Sequence, residues 1–524
     1  MTHIPTGVCA MSVAVRLCLA SVAAAVAGAA TAAPTTTRVI VAYKAGTVAK
    51  VKTLIGAAKG SIKHEISDTN AMAVDMPSAA IAGLSRNPNI EYVEVDLKRY
   101  PSALTAPSAA PYLSGQLVPY GIPMVQADKL SDVHAGNRMV CIIDSGYSIG
   151  QEDLAANNVT GENDKEKQGA GLWTVDDNHH GTHVAGTIAA INNAGRGVVG
   201  VMPNKKVKLH IVKVFGADGW AYSSTLSSAA KLCGKAGANV ISMSLGGASP
   251  SRTEQQIFDN LEAKGVLSIA AAGNDGDSTI SYPAGYASVM MVGALDVDKQ
   301  WASFSQFNSK VEIAAPGVQV LSTVPMNSGS AATLSVGGAA FSASVNTGSP
   351  QLGATAPLAD FGIGNTLNPA MSGKVCLIKR GAIAFGDKVA NCQASGGVGA
   401  ILYNNIPEML YATLGASVTS IPSVAVSGDD GALLMGKLGQ AAAISITGVS
   451  YAYYDGTSMA TPHVSAVAAL VWSYFPSCTG VQMRSTLRNS ALDLGAPGRD
   501  DKYGYGLVQA KTAHERITAL GCGN

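Results

Sequence analysis

From Tyr120 onward the chain alternates short, unbroken apolar runs with segments of helix length. Runs such as Val140-Cys141-Ile142-Ile143 and Val240-Ile241-Ser242-Met243-Ser244 have the pattern of strands covered on both faces in a parallel sheet. The stretch from near Ser458 through Val471 is rich in Ala and Val and carries few charges on any side, which predicts a helix sunk in a large core. Residues Arg38 to Asp96 read differently. Val39-Ile40-Val41-Ala42-Tyr43, a helix-compatible stretch to Lys59, Ala71-Met72-Ala73-Val74, a helix near Ser78 to Ser85, and Ile90-Glu91-Tyr92-Val93-Glu94-Val95 predict a separate small α+β unit of two strand–helix pairs. Tyr100 to Gly115 is rich in Pro, Ala and Ser and reads as an exposed, cleavable linker.

The N-terminus adds a compartment. Arg16 precedes small apolar residues from Leu17 to Ala30, and Ala30-Thr31-Ala32-Ala33 follows as a small-residue cleavage pattern; residues 1–33 therefore read as a secretory signal. The run is shorter than the ~20 residues that span a bilayer, and no later stretch is longer and apolar. The mature chain is expected to be secreted, extracellular and free of membrane. Lys plus Arg (36) nearly cancels Asp plus Glu (35), which leaves no electrostatic footprint for nucleic acid or an anionic surface. The 58 glycines suit an α/β protein with many tight turns. With Cys9 and Cys18 inside the signal, six cysteines remain, an even number that predicts disulfides in an exported chain, with 15 connectivities open.

Three local patterns carry the chemistry: Ile143-Asp144-Ser145-Gly146, His180-Gly181-Thr182-His183-Val184-Ala185-Gly186, and Gly456-Thr457-Ser458-Met459-Ala460-Thr461-Pro462-His463. A serine hydroxyl is a weak nucleophile near neutral pH and needs a base, which an imidazole supplies and a carboxylate orients. The order Asp, His, Ser differs from that of α/β-hydrolases and of chymotrypsin-like enzymes. With these patterns the chain resembles the subtilisin family over residues 38–330 and 451–515. The resemblance implies a three-layer α/β fold with a mostly parallel central sheet, and a serine endopeptidase in which Asp144, His180 and Ser458 form the triad. Asn274, in Ala271-Ala272-Gly273-Asn274-Asp275-Gly276, matches the family's oxyanion donor. His183 and His463 are read as packed, hydrogen-bonded core histidines. No Cys or carboxylate at ligand spacing completes a zinc site around His179, His180 and His183.

The same resemblance implies that Ser244, Leu245 and Gly246 pair with an extended substrate, that Ala271, Ala272 and Gly273 form the opposite wall of the S1 pocket, and that Tyr222 lines S4, giving a hydrophobic or broad P1 preference. It implies structural Ca²⁺ held by Gln116, Asp153 and Asn193, oxygen ligands of the kind that ion takes, although the loop Asn192 to Gly197 is one residue longer than usual and contains Arg196. Residues 34–99 resemble an inhibitory propeptide, followed by a processing linker (100–115). The catalytic domain is then expected in two parts, 116–330 and 450–524, split by an insertion at 331–449. That insertion, with Gly373-Lys374-Val375-Cys376-Leu377-Ile378-Lys379-Arg380-Gly381 and Ala394-Ser395-Gly396-Gly397-Val398-Gly399-Ala400-Ile401-Leu402-Tyr403-Asn404-Asn405, resembles a β-rich protease-associated (PA) domain. Cys376 with Cys392 would close a loop inside it and Cys478 with Cys522 would tether the C-terminal tail, leaving Cys141 with Cys233. Expected partners are protein or peptide substrates and the chain's own propeptide; a monomer is expected. A non-catalytic binding protein is the competing class, and a lipase or esterase is disfavoured because Ser458 lacks a G-x-S-x-G elbow.

Overall fold

The computed structural model describes residues 36–102, 115–163, 170–193, 195–415 and 417–524. The expected signal and most of the expected linker lie outside the described residues.

A seven-stranded, all-parallel sheet forms the centre, in the order Val311–Pro316, Val289–Leu295, Leu267–Ala271, Val240–Met243, Met139–Asp144, Lys208–Lys213, Asn158–Asn163. Successive residues of a strand face opposite sides. Val140 and Ile142 accordingly join the core beneath helices His180–Ala189 and Thr457–Tyr474. Cys141 and Ile143 join the core beneath helices Ser223–Ala236 and Arg252–Ala263. Both sides being covered is why the strands read as continuous apolar runs. The helix Thr457–Tyr474 is buried on every side from Thr457 to Ser473, which explains its lack of charge.

The N-terminal unit is a four-stranded antiparallel sheet in the order Ser61–Ile66, Ala71–Pro77, Thr36–Tyr43, Ile90–Val95, with helices Val48–Ala57 and Ser78–Ser85. Strand Ser61–Ile66 is absent from the sequence reading because Lys63 and Glu65 face solvent on an edge and interrupt its apolar pattern. Val39, Val41, Val51, Ile55, Met72 and Val74 build the unit's own core. Ile40, Ala42, Ile66 and Ala71 instead pack with Leu226, Ala230 and Phe258 of the large domain. Its carboxylates finish the docking. Glu94 accepts from the backbone N–H groups of Arg252 (2.9 Å) and Thr253 (3.0 Å), and Asp96 from that of Ser224 (3.0 Å). Each thereby caps the positive end of one large-domain helix.

Residues 100 and 101, read from the sequence as the start of an exposed linker, belong instead to a strand. Lys98–Pro101 is the middle strand of a three-stranded antiparallel sheet, between Leu245–Gly246 and Ala221–Tyr222. Extended backbone that finds two unpaired edges has its N–H and C=O groups satisfied there, which a composition argument does not register.

The insertion leaves and returns through a two-stranded stem, Val320–Thr323 against Tyr451–Tyr454. Beyond it lies an eight-stranded mixed sheet with helices Phe385–Ala394 and Gly428–Met435. Disulfides join Cys141 to Cys233, Cys376 to Cys392 and Cys478 to Cys522. No helix among the described residues is long and apolar enough to cross a membrane.

Candidate active site

Asp144 ends its strand fully buried, and Oδ1 accepts from the Ser145 N–H at 2.7 Å and lies 2.7 Å from His180 Nδ1. His180 opens helix His180–Ala189. A residue the sequence reading did not anticipate holds that helix start in place: the Asp176 carboxylate accepts from His179 N (2.9 Å), Thr182 N (2.8 Å), Thr182 Oγ1 (2.6 Å) and Ser145 Oγ (2.8 Å). An Asp a few residues before a helix is an everyday capping signal, so nothing in the local sequence marked this one. Burial favours neutral His180, but the charge and hydrogen bond of Asp144 outweigh it and raise the imidazole's pKa. His180 Nε2 is buried with no hydrogen-bond partner among the described residues.

Ser458 lies in the first turn of the buried helix, and its hydroxyl donates to the Ser244 carbonyl at 2.8 Å. Pro462, four residues on, has no N–H to give to the Ser458 carbonyl. Ser244 Oγ donates to that carbonyl instead, at 2.7 Å, which ties the Ser458 backbone to the edge segment Ser244–Gly246.

Two donors converge on one point. The Ser458 N–H (3.1 Å) and Asn274 Nδ2 (2.7 Å) both donate to the carbonyl of Ser102, the residue after strand Lys98–Pro101. Asn274 Oδ1 accepts from Thr457 N and Thr457 Oγ1, each at 2.9 Å, which turns the amide nitrogen toward Ser102. The Ser102 N–H donates to Ser244 O at 3.0 Å. Ser458 is wholly covered beneath this segment.

The remaining sequence-selected residues surround that segment. Leu245 pairs with Pro101 and Gly246 with Tyr100. Ala271 ends its strand, Ala272 is buried beside it, and Gly273 has φ +105°. The Ser281 hydroxyl lies 2.2 Å from where a Cβ on Gly246 would sit, so it packs directly against that segment. The Tyr222 ring meets the Arg38 guanidinium (4.5 Å) and the edge of Trp220 (5.1 Å), while Arg99 meets Glu254. His183 Nε2 lies 3.0 Å from both Val320 O and Ala452 O, and its ring stacks on Tyr454 at 4.4 Å. His463 Nδ1 donates to Met459 O at 2.7 Å. Burial lowers the pKa of His183 to about 3 and that of His463 to about 4, leaving both neutral.

Gln116, Asp153 and Asn193 come together. Gln116 Nε2 donates to Ile191 O (2.9 Å), Asn193 Oδ1 (3.3 Å) and Val198 O (3.3 Å), and Asn193 Nδ2 donates to Asp153 Oδ1. A Cβ on Gly197 would strike the Asp153 carboxylate, so the cradle needs glycine there. Arg196 turns outward to Glu152 at 3.1 Å, away from these oxygens. Ile191 O, Asn193 Oδ1 and Val198 O gather around the Gln116 amide nitrogen, with the Asp153 carboxylate beyond the Asn193 amide; oxygens of these kinds suit a hard cation once the Gln116 amide presents its oxygen.

Three family matches cover the chain: the subtilase family over residues 136–351 and 411–506, the PA domain over 337–434, and the fervidolysin N-terminal prodomain over 20–96. An alkaline protease of Alkalihalobacillus alcalophilus is 38% identical over 456 residues, covering 86% of this chain and 80% of the relative. Subtilisin BL of Lederbergia lenta is 43% identical over 404 residues, covering 76% of this chain and 99% of the relative. Among solved structures, the psychrophilic subtilisin-like protease of the Antarctic psychrotroph Pseudoalteromonas sp. AS-11 superposes with TM-score 0.58 at 42% identity, covering 78% of this chain and 99% of that one. Fervidolysin of Fervidobacterium pennivorans shares the fold, with TM-score 0.59 at 22% identity over 92% of this chain and 61% of that one. The chain therefore belongs to the subtilase family and is a subtilisin-like serine endopeptidase with an N-terminal prodomain and a PA domain.

Proposed function

We propose that Asp144, His180 and Ser458 hydrolyse peptide bonds as a triad, with Asn274 and the Ser458 N–H as the oxyanion hole, and that the enzyme's first substrate is its own Ser102–Ala103 bond. The observation that carries this reading is the Ser102 carbonyl held between those two donors. A carbonyl there gains negative charge as the tetrahedral intermediate forms, where preorganised donors count most. Ser458 Oγ rotates from Ser244 O toward His180 Nε2, loses its proton to it and attacks the carbonyl carbon. Asp144 stabilises the imidazolium formed. His180 then returns the proton to the departing amine, and water reverses the sequence to release the acyl group.

The propeptide remains docked by its apolar face and by the caps from Glu94 and Asp96, with its C-terminal strand in the cleft, and so inhibits the enzyme. The P1 residue is then Ser102, small and polar, rather than a large apolar side chain. This supports a broad P1 preference that accepts small side chains. Gln116, Asp153, Asn193 and the carbonyls of Ile191 and Val198 would hold Ca²⁺, which supplies charge neutralisation and cross-linking of the loop away from Ser458 and no chemistry. Export is inferred from residues 1–33 and from the three disulfides. Labelling of Ser458 by a fluorophosphonate, lost in His180→Ala, together with turnover of peptides, tests the reading. An unlabelled but folded mature protein would favour a binding role.

A further inference from the structure

We propose that the fourth substrate pocket of this protease is anionic, floored by Glu254, and selects substrates with arginine at P4. The inference rests on cleavage after Ser102, which makes Arg99 the P4 residue of the enzyme's own first substrate. Arg99 and Glu254 are 1% and 0% exposed. Arg99 Nε (3.0 Å) and Nη2 (2.8 Å) donate to the two oxygens of the Glu254 carboxylate, and Nη2 also reaches Ser249 O at 3.1 Å. Tyr286 Oη donates to Glu254 Oε2 at 2.7 Å. Tyr100 at P3 is 49% exposed, so the segment's specificity is concentrated in Arg99.

Glu254 is not a helix cap in disguise. Ser251-Arg252-Thr253-Glu254 has the spacing of a capping box, and Ser251 Oγ does accept from Glu254 N (3.2 Å), but the Ser251 N–H that a capping-box glutamate would take donates to Tyr286 Oη (2.8 Å) instead. The Glu254 side chain is left to the pocket. Departure of the propeptide removes the guanidinium and leaves this carboxylate with the Tyr286 hydroxyl. An apolar P4 side chain would then desolvate a charge without pairing it, which is costly, whereas an incoming arginine restores both fork hydrogen bonds. Lysine brings one point charge and cannot form the fork.

The test uses mature wild-type enzyme and fluorogenic peptides Xaa-Tyr-Pro-Ser in which Xaa is Arg, Lys, Leu, Ala or Glu, with Tyr-Pro-Ser as control. Arg should exceed Leu and Ala in kcat/KM by roughly 10²-fold, with Lys between and Glu lowest. In Glu254→Gln the ratio of Arg to Leu should fall to within a few-fold. Equal cleavage of all five, or a preference for Leu, overturns the anionic pocket and leaves the protease reading standing. Failure to cleave any peptide, with no fluorophosphonate labelling, overturns the reading beneath it as well. The wild-type series decides the matter even if Glu254→Gln does not mature.

Discussion

Asn274 Nδ2 lies 2.7 Å from the carbonyl oxygen of Ser102, so an amide of the catalytic domain holds the bond that would join propeptide to mature enzyme. Maturation should therefore expose Ala103 as the first new N-terminus, and Ser458→Ala should leave a single uncut chain when expressed in a protease-deficient host. N-terminal sequencing reads both outcomes. A first cut elsewhere, or maturation of the Ser458→Ala chain, would refute self-processing at this bond.

Asn274→Ala removes one oxyanion donor but little buried packing, since Asn274 is only half-buried. Turnover should fall roughly 10²–10³-fold, the loss seen when the matching donor is removed in subtilisin itself. Melting temperature should change little. Near wild-type turnover would take Asn274 out of the mechanism.

Chelation should lower the melting temperature far more than it lowers turnover at ambient temperature. Oxygens of Asn193, Ile191 and Val198 gather only in the folded chain, with the Asp153 carboxylate beside Asn193, so a cation bound there would stabilise by mass action. Asp153→Ala should abolish the shift. An unchanged melting temperature in chelator would remove calcium from this protein.

The cleaved propeptide should leave faster in acid through His64. Burial, then the Arg38 charge, lowers its pKa to about 4 in the docked state, against an ordinary 6.5. A group whose pKa is lowered on docking contributes stability above pH 6.5 and loses it as pH falls toward 4, here up to about 3 kcal/mol. Asp96, raised mainly by burial, runs the other way, so the comparison is between variants. Propeptide release measured from pH 7.5 to 4.5 should steepen in wild type and flatten in His64→Gln; identical slopes would exonerate His64.

The PA domain should gate large substrates only. Its stem meets helix His180–Ala189 directly: Ser322 Oγ donates to His183 O and Thr323 Oγ1 to Thr182 O, each at 2.8 Å. A domain so placed can limit access without altering acyl chemistry. Replacing residues 331–449 with a short Gly/Ser linker should keep four-residue peptide turnover within a few-fold while changing cleavage of folded proteins much more. Equal effects on both substrate classes would make the domain a structural appendage.

The proposed triad of Asp144, His180 and Ser458 stands out in the chain because its chemistry demands particular residue types inside short, ordered patterns, and the fold brings Asp144 and His180 within 2.7 Å. The central strands could be read because two covered faces force unbroken apolar runs. Three features needed the tertiary structure. Ser102 sits in a stretch of Pro, Ala and Ser whose composition speaks only of exposure, and its placement comes from chain far away: Ser244 O, Asn274 Nδ2 and the Ser458 N–H. Asp176 looks like any helix cap until its helix is seen to begin with His180. Glu254 has capping-box spacing, and only the arrival of Tyr286 at the Ser251 N–H leaves its carboxylate to Arg99. Local sequence states what a residue can do, but a partner's charge, donated hydrogen bond or excluded water comes from chain far away, and those contacts decide which of its possible roles a residue fills.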